Sequence, residues 1–167
     1  MGTARFTQWL PVAIEQVFLF FANPENLPRI MPPETETRLI ELRLVAPAEN
    51  PNADAVPLAG IESEIVTSFR VLPLLPFRAG WTALITEFEW NHHFSDVQKI
   101  GPFRRFQHRH EFEAQVRDGK AGTLVRDVIE YEVGFGPLGF CIDRLFVARR
   151  LQRTFAYRQD ALRKLLG

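Results

Sequence analysis

The chain has 167 residues, of which 46% are hydrophobic and 24% are charged, and these values are typical of one soluble globular domain. Twenty Lys and Arg balance twenty Asp and Glu, and a net charge of zero argues against nucleic-acid binding, which needs a basic surface. The chain contains fifteen Phe but only two Tyr. So many rings without a hydrogen-bonding group indicate an apolar interior that aromatic side chains either fill or line.

The cysteine content and the apolar runs favour a protein of a reducing compartment. Cys141 is the only cysteine, which excludes an intrachain disulfide and a cysteine-based zinc site. No signal-peptide pattern opens the chain, and the longest strongly apolar run, Val17 to Phe21, is too short to span a bilayer. We therefore expect a cytoplasmic protein with no stable membrane insertion, in which Cys141 is a free buried thiol.

The first part of the chain predicts one strand and two short helices. Residues 3–10 are rich in strand-forming side chains and stop at Pro11. Residues 12–22 repeat apolar side chains at helical spacing, and residues 25–31 form a second short helical segment before a Pro-Pro pair.

The middle of the chain predicts six strands in succession, because polar and apolar residues alternate between turn-forming clusters. Several runs exceed ten residues, and such long antiparallel strands belong to a strongly twisted, curved sheet. The predicted strands cover residues 37–45, 61–72, 79–90, 94–100, 106–116 and 123–133.

Residues 138–166 predict a long amphipathic helix, about 42 Å from end to end at 1.5 Å per residue. Its basic residues lie opposite its apolar stripe and form a solvated face. A sheet must bury one face, and this helix is the obvious cover. The fold class is therefore α+β. The apolar stripe comprises Phe140, Cys141, Leu145, Ala148, Leu151, Phe155, Leu162 and Leu166.

The order of these elements resembles the helix-grip fold of START-related and pathogenesis-related proteins. The series Phe94-Ser95-Asp96-Val97-Gln98, Gly101-Pro102-Phe103 and Phe106-Gln107-His108-Arg109-His110-Glu111-Phe112 is similar to the polyketide cyclase/dehydrase-like branch, which often has Trp at the position of Phe106. The resemblance implies a single ligand-binding domain over residues 1–167, with a curved seven-stranded antiparallel sheet wrapped around the C-terminal helix. It implies no particular reaction, because the superfamily contains carriers, sensors and enzymes.

Two histidines and an aspartate carry the candidate chemistry. Alternation along residues 106–112 turns His108 and His110 toward the interior, and alternation along the last strand turns Asp127 inward as well. Asp118-Gly119 is a strong hairpin signal, and with these as the two central turn residues His110 lies opposite Asp127. The same register pairs Phe106 with Tyr131 and Phe112 with Val125, whereas a four-residue loop would shift the partners by two.

The His110–Asp127 pair allows three interpretations. It braces the sheet as a satisfied polar pair, or it orients a polar group of a ligand together with His108 and Tyr131, or His110 and Asp127 act as catalytic acid and base. A carboxylate neighbour should raise the pKa of His110 above about 6.5 unless burial opposes it. Metal chelation by the two histidines would need a third ligand from Asp127, His92 or His93, and we predict no metal and no cofactor.

We predict a carrier or sensor that holds a small hydrophobic molecule between the sheet and the C-terminal helix. The enzyme alternative is a polyketide cyclase or dehydratase, and a third class is a protein-interaction module. The apolar loop of residues 72–77 is either folded onto the core or serves as a lid or a homodimer contact. The predicted ligand-binding residues are Phe69, Phe94, Phe106, His108, His110, Phe112, Asp127, Tyr131, Leu145, Ala148 and Phe155.

Overall fold

The computed structural model describes residues 1–48, 56–70, 77–133 and 146–167. These residues form seven strands, two α-helices and two short 3-10 helices. The 3-10 helices are Pro24–Ile30 and Pro33–Thr35. The other elements are β1 (Gly2–Leu10), α1 (Ile14–Ala22), β2 (Arg38–Arg43), β3 (Glu64–Arg70), β4 (Arg78–Glu89), β5 (His93–Ile100), β6 (Arg105–Arg117), β7 (Lys120–Glu132) and α2 (Ala148–Leu166).

All seven strands join one antiparallel sheet in the order β1-β7-β6-β5-β4-β3-β2. Consecutive strands are neighbours except that β1 returns to pair with β7. Irregular register interrupts the β2–β3 and β4–β5 ladders, and such bulges bend a sheet and increase its twist. The predicted α+β architecture, with a seven-stranded curved sheet and short helices after the first strand, is confirmed.

The hairpin between β6 and β7 has the tight turn that the sequence predicts. Asp118 and Gly119 have φ angles of 50° and 75°, which is the left-handed backbone that a two-residue turn of this kind requires. The ladder therefore pairs His110 with Asp127, as predicted, and Phe106 with Tyr131.

One end of the interior is filled by aromatic rings. Phe18 of α1 is fully buried and makes edge-to-face contacts with Phe88 and Phe112, at centroid distances of 5.3 and 5.1 Å. Val17 and Leu10 are also fully buried beside it. The N-terminus of α1 has no side-chain cap. The helix is therefore stabilised mainly by the packing of its apolar side chains against this end of the sheet.

The C-terminal helix packs across the sheet near β1. Its buried residues Phe155, Arg158, Ala161 and Leu162 recur at the spacing of one helical face. Phe155 stacks on Phe6 of β1, with ring centroids 4.2 Å apart and planes within 3°. No helix within the described ranges is long and apolar enough to span a membrane.

Several predicted features lie outside the described residues. The predicted helix over residues 138–166 is described only from Ala148 onward, so Cys141 and Leu145 fall outside that range. The apolar loop of residues 72–77 also falls outside it, except for Phe77, which is exposed.

Candidate functional site

A cavity of about 760 Å³ lies between the inner face of the sheet and α2, with the 3-10 helices at its edge. The side chains around it are mainly aromatic and aliphatic, and the polar ones include Asp96, His108 and His110 of the sheet and Arg158 of α2. Exposed Glu34, Arg149 and Arg153 mark where it opens to solvent. Buried lining residues include Ile65, Thr67, Ile85, Phe94, His108, His110, Ile129, Phe155 and Arg158.

Six of the predicted ligand-binding residues line this cavity. They come from the three strands β3, β5 and β6 and from α2, and they share the inner face because strand side chains alternate and the helix presents its apolar stripe. Trp81 adds a ring that contacts Phe106 edge-on, at 4.7 Å between centroids. The six are Phe69, Phe94, Phe106, His108, His110 and Phe155.

Four other predicted residues do not line the cavity. Phe112 is packed into the ring-filled end around Phe18, and Tyr131 joins the cluster under α2, where its ring contacts Phe103. Ala148 is half-buried at the start of α2, and Asp127 lies behind the histidines. Alternation assigned the correct face to the three strand residues, but neighbouring side chains separate them from the open space.

The two histidines share one carboxylate. His108 Nε2 lies 3.0 Å from Asp127 Oδ1 and is hydrogen-bonded to it. His110 Nδ1 lies 2.6 Å from the same oxygen but does not form a regular hydrogen bond with it. The imidazole centroids are 3.9 Å apart, and the three residues are 5% to 9% exposed. The sequence predicted the pair of His110 with Asp127 and missed the hydrogen bond between His108 and Asp127.

Burial and hydrogen bonding set the charges of this cluster. Burial lowers the pKa of His108 and of His110 and outweighs the attraction of Asp127. The exception that the sequence prediction named for His110, opposition by burial, therefore applies. Burial by itself would raise the pKa of Asp127, but attraction by the two histidines and the hydrogen bond with His108 hold that pKa below its usual value. The cluster therefore consists of a carboxylate held by two neutral imidazoles at neutral pH.

The structure brings two further polar residues to the cavity. Asp96 pairs with His108 in the β5–β6 ladder, and its Oδ2 lies 3.9 Å from His108 Nδ1. Arg158 projects from the buried stripe of α2. Both had a signal in the sequence. Asp96 follows inward-facing Phe94 by two residues, on the same face of the strand. Arg158 follows Phe155 by three residues, on the same face of the helix.

Asp96, His108 and His110 could together offer ligands to a metal ion. One ligand atom from each lies within 4.8 Å of the others, and a carboxylate with two imidazoles is a donor set that suits divalent transition metals. The residue that could join the two histidines is therefore Asp96, and not Asp127, His92 or His93, which the sequence analysis considered. The cationic Arg158 interacts electrostatically with Asp96 and His110 and opposes a second positive charge here.

Solved structures share this architecture over almost the whole chain. A START superfamily protein from Mycobacterium smegmatis aligns with a TM-score of 0.64 at 14% identity, over 98% of this chain and 96% of that one. The chain has the helix-grip fold. No protein-family model matches its sequence, and no curated protein matches it.

Two plant proteins have the same fold. Norcoclaurine synthase from Thalictrum flavum, in a complex with a transition-state analogue, aligns with a TM-score of 0.62 at 13% identity, over 99% of this chain and 93% of that one. Major latex-like protein 151 from Panax ginseng aligns with a TM-score of 0.54 at 13% identity, over 91% and 95%. At these identities the likeness concerns the helix-grip fold alone.

Proposed function

We propose that this protein is a carrier or sensor that binds one small, largely apolar molecule in the cavity under α2. The observation that carries the proposal is the cavity itself, about 760 Å³ of space in an interior rich in aromatic rings. Cavities of this size and apolar lining, with a few convergent polar groups, are typical small-molecule sites.

The distribution of the rings supports binding as well as packing. Phe18 and its neighbours fill one end of the interior, whereas Phe69, Trp81 and Phe106 border the open space. A ligand there would replace water against these rings, which favours binding by about 25 cal/mol per Å² of buried apolar surface. Norcoclaurine synthase with its transition-state analogue is an example of a small molecule bound by this fold.

Filling the cavity tests the proposal. Ala83 on β4 lines it, so Ala83→Trp adds bulk where the ligand would lie, and Ala114→Trp adds the same bulk at an exposed position on β6. N-phenyl-1-naphthylamine, an uncharged apolar dye, reports binding by its fluorescence. We expect the wild type and Ala114→Trp to bind the dye and Ala83→Trp to remain folded and lose it.

Two results would contradict the proposal. One is a wild type that binds no dye and retains no small molecule in native mass spectra of protein purified from its own host. The other is Ala83→Trp that binds the dye as well as the wild type does. A strong loss of stability in Ala83→Trp, together with no dye binding by the wild type, would indicate a filled interior.

A second candidate function is acid–base catalysis of the polyketide cyclase or dehydratase type. One observation favours it. His108 and His110 both line the cavity, and both contact Asp127, which lies behind them. A neutral imidazole held by a carboxylate can accept and return a proton. In that case Asp127→Asn keeps dye binding and lowers turnover of a ketide substrate by orders of magnitude.

A further inference from the structure

Arg158 is a buried cation in an otherwise apolar stripe. It is 8% exposed, it belongs to the face of α2 that also buries Phe155 and Leu162, and it lines the cavity. Arginine is rarely buried unless an anion or several acceptors satisfy its five N–H groups. Its position therefore needs a physical explanation.

Within the described part of the chain, nothing satisfies the guanidinium. No described residue places an acceptor within hydrogen-bond or ion-pair distance of it, and its guanidinium carbon lies over the Phe155 ring, 4.8 Å from the ring centroid. A cation held only by a ring and by distant charges loses much of its hydration without replacement.

The nearby carboxylates are engaged elsewhere. Asp127 is held by both histidines and lies outside the cavity lining. Asp96 lines the cavity and pairs with His108, whose Nδ1 lies 3.9 Å from Asp96 Oδ2. Both attract Arg158 at longer range, but neither forms an ion pair with it. Among the described residues, none takes up the donors of Arg158, which line the cavity.

The opening of the cavity is also basic. α2 contributes Arg149, Arg150 and Arg153 in addition to Arg158, and among the described lining residues only Glu34 and Asp96 are acidic. The net charge of the chain is zero, so this excess of arginine is a local property of the cavity. A positive opening concentrates anions and speeds their entry.

We propose that the ligand is an amphipathic carboxylate, whose apolar body lies among the rings and whose carboxylate is bound by Arg158. This inference rests on the proposed function of the cavity. A carboxylate matches the planar fork of a guanidinium and accepts two parallel hydrogen bonds from it. It also neutralises the buried cation in the water-poor part of the cavity.

Matched ligands that differ only in charge test this inference. Dodecanoate and dodecanol have the same apolar chain, and each is titrated against bound N-phenyl-1-naphthylamine. We expect dodecanoate to displace the dye at a roughly tenfold to hundredfold lower concentration than dodecanol, the range that a charged, paired hydrogen bond supplies. Arg158→Met should weaken dodecanoate by that factor and leave dodecanol unchanged. Arg5→Gln, at an exposed strand position away from the cavity, should change neither.

The outcomes separate the two proposals. A wild type that binds no dye contradicts cavity binding as a whole. Two results contradict the carboxylate proposal alone. One is a wild type that binds the dye and releases it at equal concentrations of dodecanoate and dodecanol. The other is an Arg158→Met variant that retains the preference for dodecanoate. Should Arg158→Met fail to fold, Arg158→Lys decides, because it keeps the charge without the planar fork. We expect it to retain a reduced preference, and an undiminished one would overturn the paired geometry.

Discussion

Asp127→Asn should destabilise the protein strongly, although the two side chains have almost the same shape. Asp127 is 9% exposed and receives His108 at 3.0 Å and His110 at 2.6 Å on a single oxygen. The amide removes the charge that strengthens both contacts and that attracts Arg158. A hydrogen bond to a charged group contributes about 1.5–3 kcal/mol, and the amide oxygen of Asn would still accept a weaker, neutral hydrogen bond. We therefore expect a loss of about 1.5–3 kcal/mol.

Urea unfolding at pH 7, followed by tryptophan fluorescence, measures this loss as the difference in the free energy of unfolding. Glu113→Gln is the matched control, because Glu113 forms an exposed ion pair with Arg126 across the same β6–β7 ladder. We expect its stability to be close to that of the wild type. If Asp127→Asn loses no more stability than Glu113→Gln, Asp127 does not hold the two histidines together and the argument from burial is wrong.

Three further experiments probe other parts of the structure. In the folded protein, burial holds the pKa of both cavity histidines below the value of about 6.5 that they have in the unfolded chain. Unfolding therefore takes up protons, and the free energy of unfolding falls as the pH drops from 7 to 5. His110→Asn should reduce the slope of unfolding free energy against pH by up to about 1.4 kcal/mol per pH unit, and an unchanged slope would contradict the burial effect. A Cβ at buried Gly122 clashes with the Leu10 carbonyl oxygen, whereas one at Gly80 meets nothing within 4 Å. Gly122→Ala should therefore cost about 1–3 kcal/mol, and equal melting temperatures for the two alanine variants would refute the close approach. Arg153→Gln should slow dodecanoate entry severalfold in stopped-flow dye displacement at low salt, and a difference that persists in high salt would exclude electrostatic steering.

The sequence was sufficient to predict the elements and their faces, because these depend on short-range patterns. Alternation along β6 and β7 identified the inward side chains of His110 and Asp127, and the Asp118-Gly119 turn set their register. A two-residue turn leaves no freedom in which residues pair beyond it. The same local rules would have assigned Asp96 and Arg158 to the interior.

The tertiary structure alone determined which of these inward residues meet and which rings leave space open. Asp96 and Arg158 come from β5 and α2, far apart in sequence, and the distance between them depends on the curvature of the sheet and the placement of the helix. Both histidines reach one oxygen of Asp127 because side-chain torsions and sheet twist, which no spacing encodes, bring His108 across from the neighbouring position. The rings divide between filling and lining for the same reason. α1 inserts Phe18 at one end of the sheet, and no described element inserts a comparable side chain beneath α2, so the interior stays open beside Arg158.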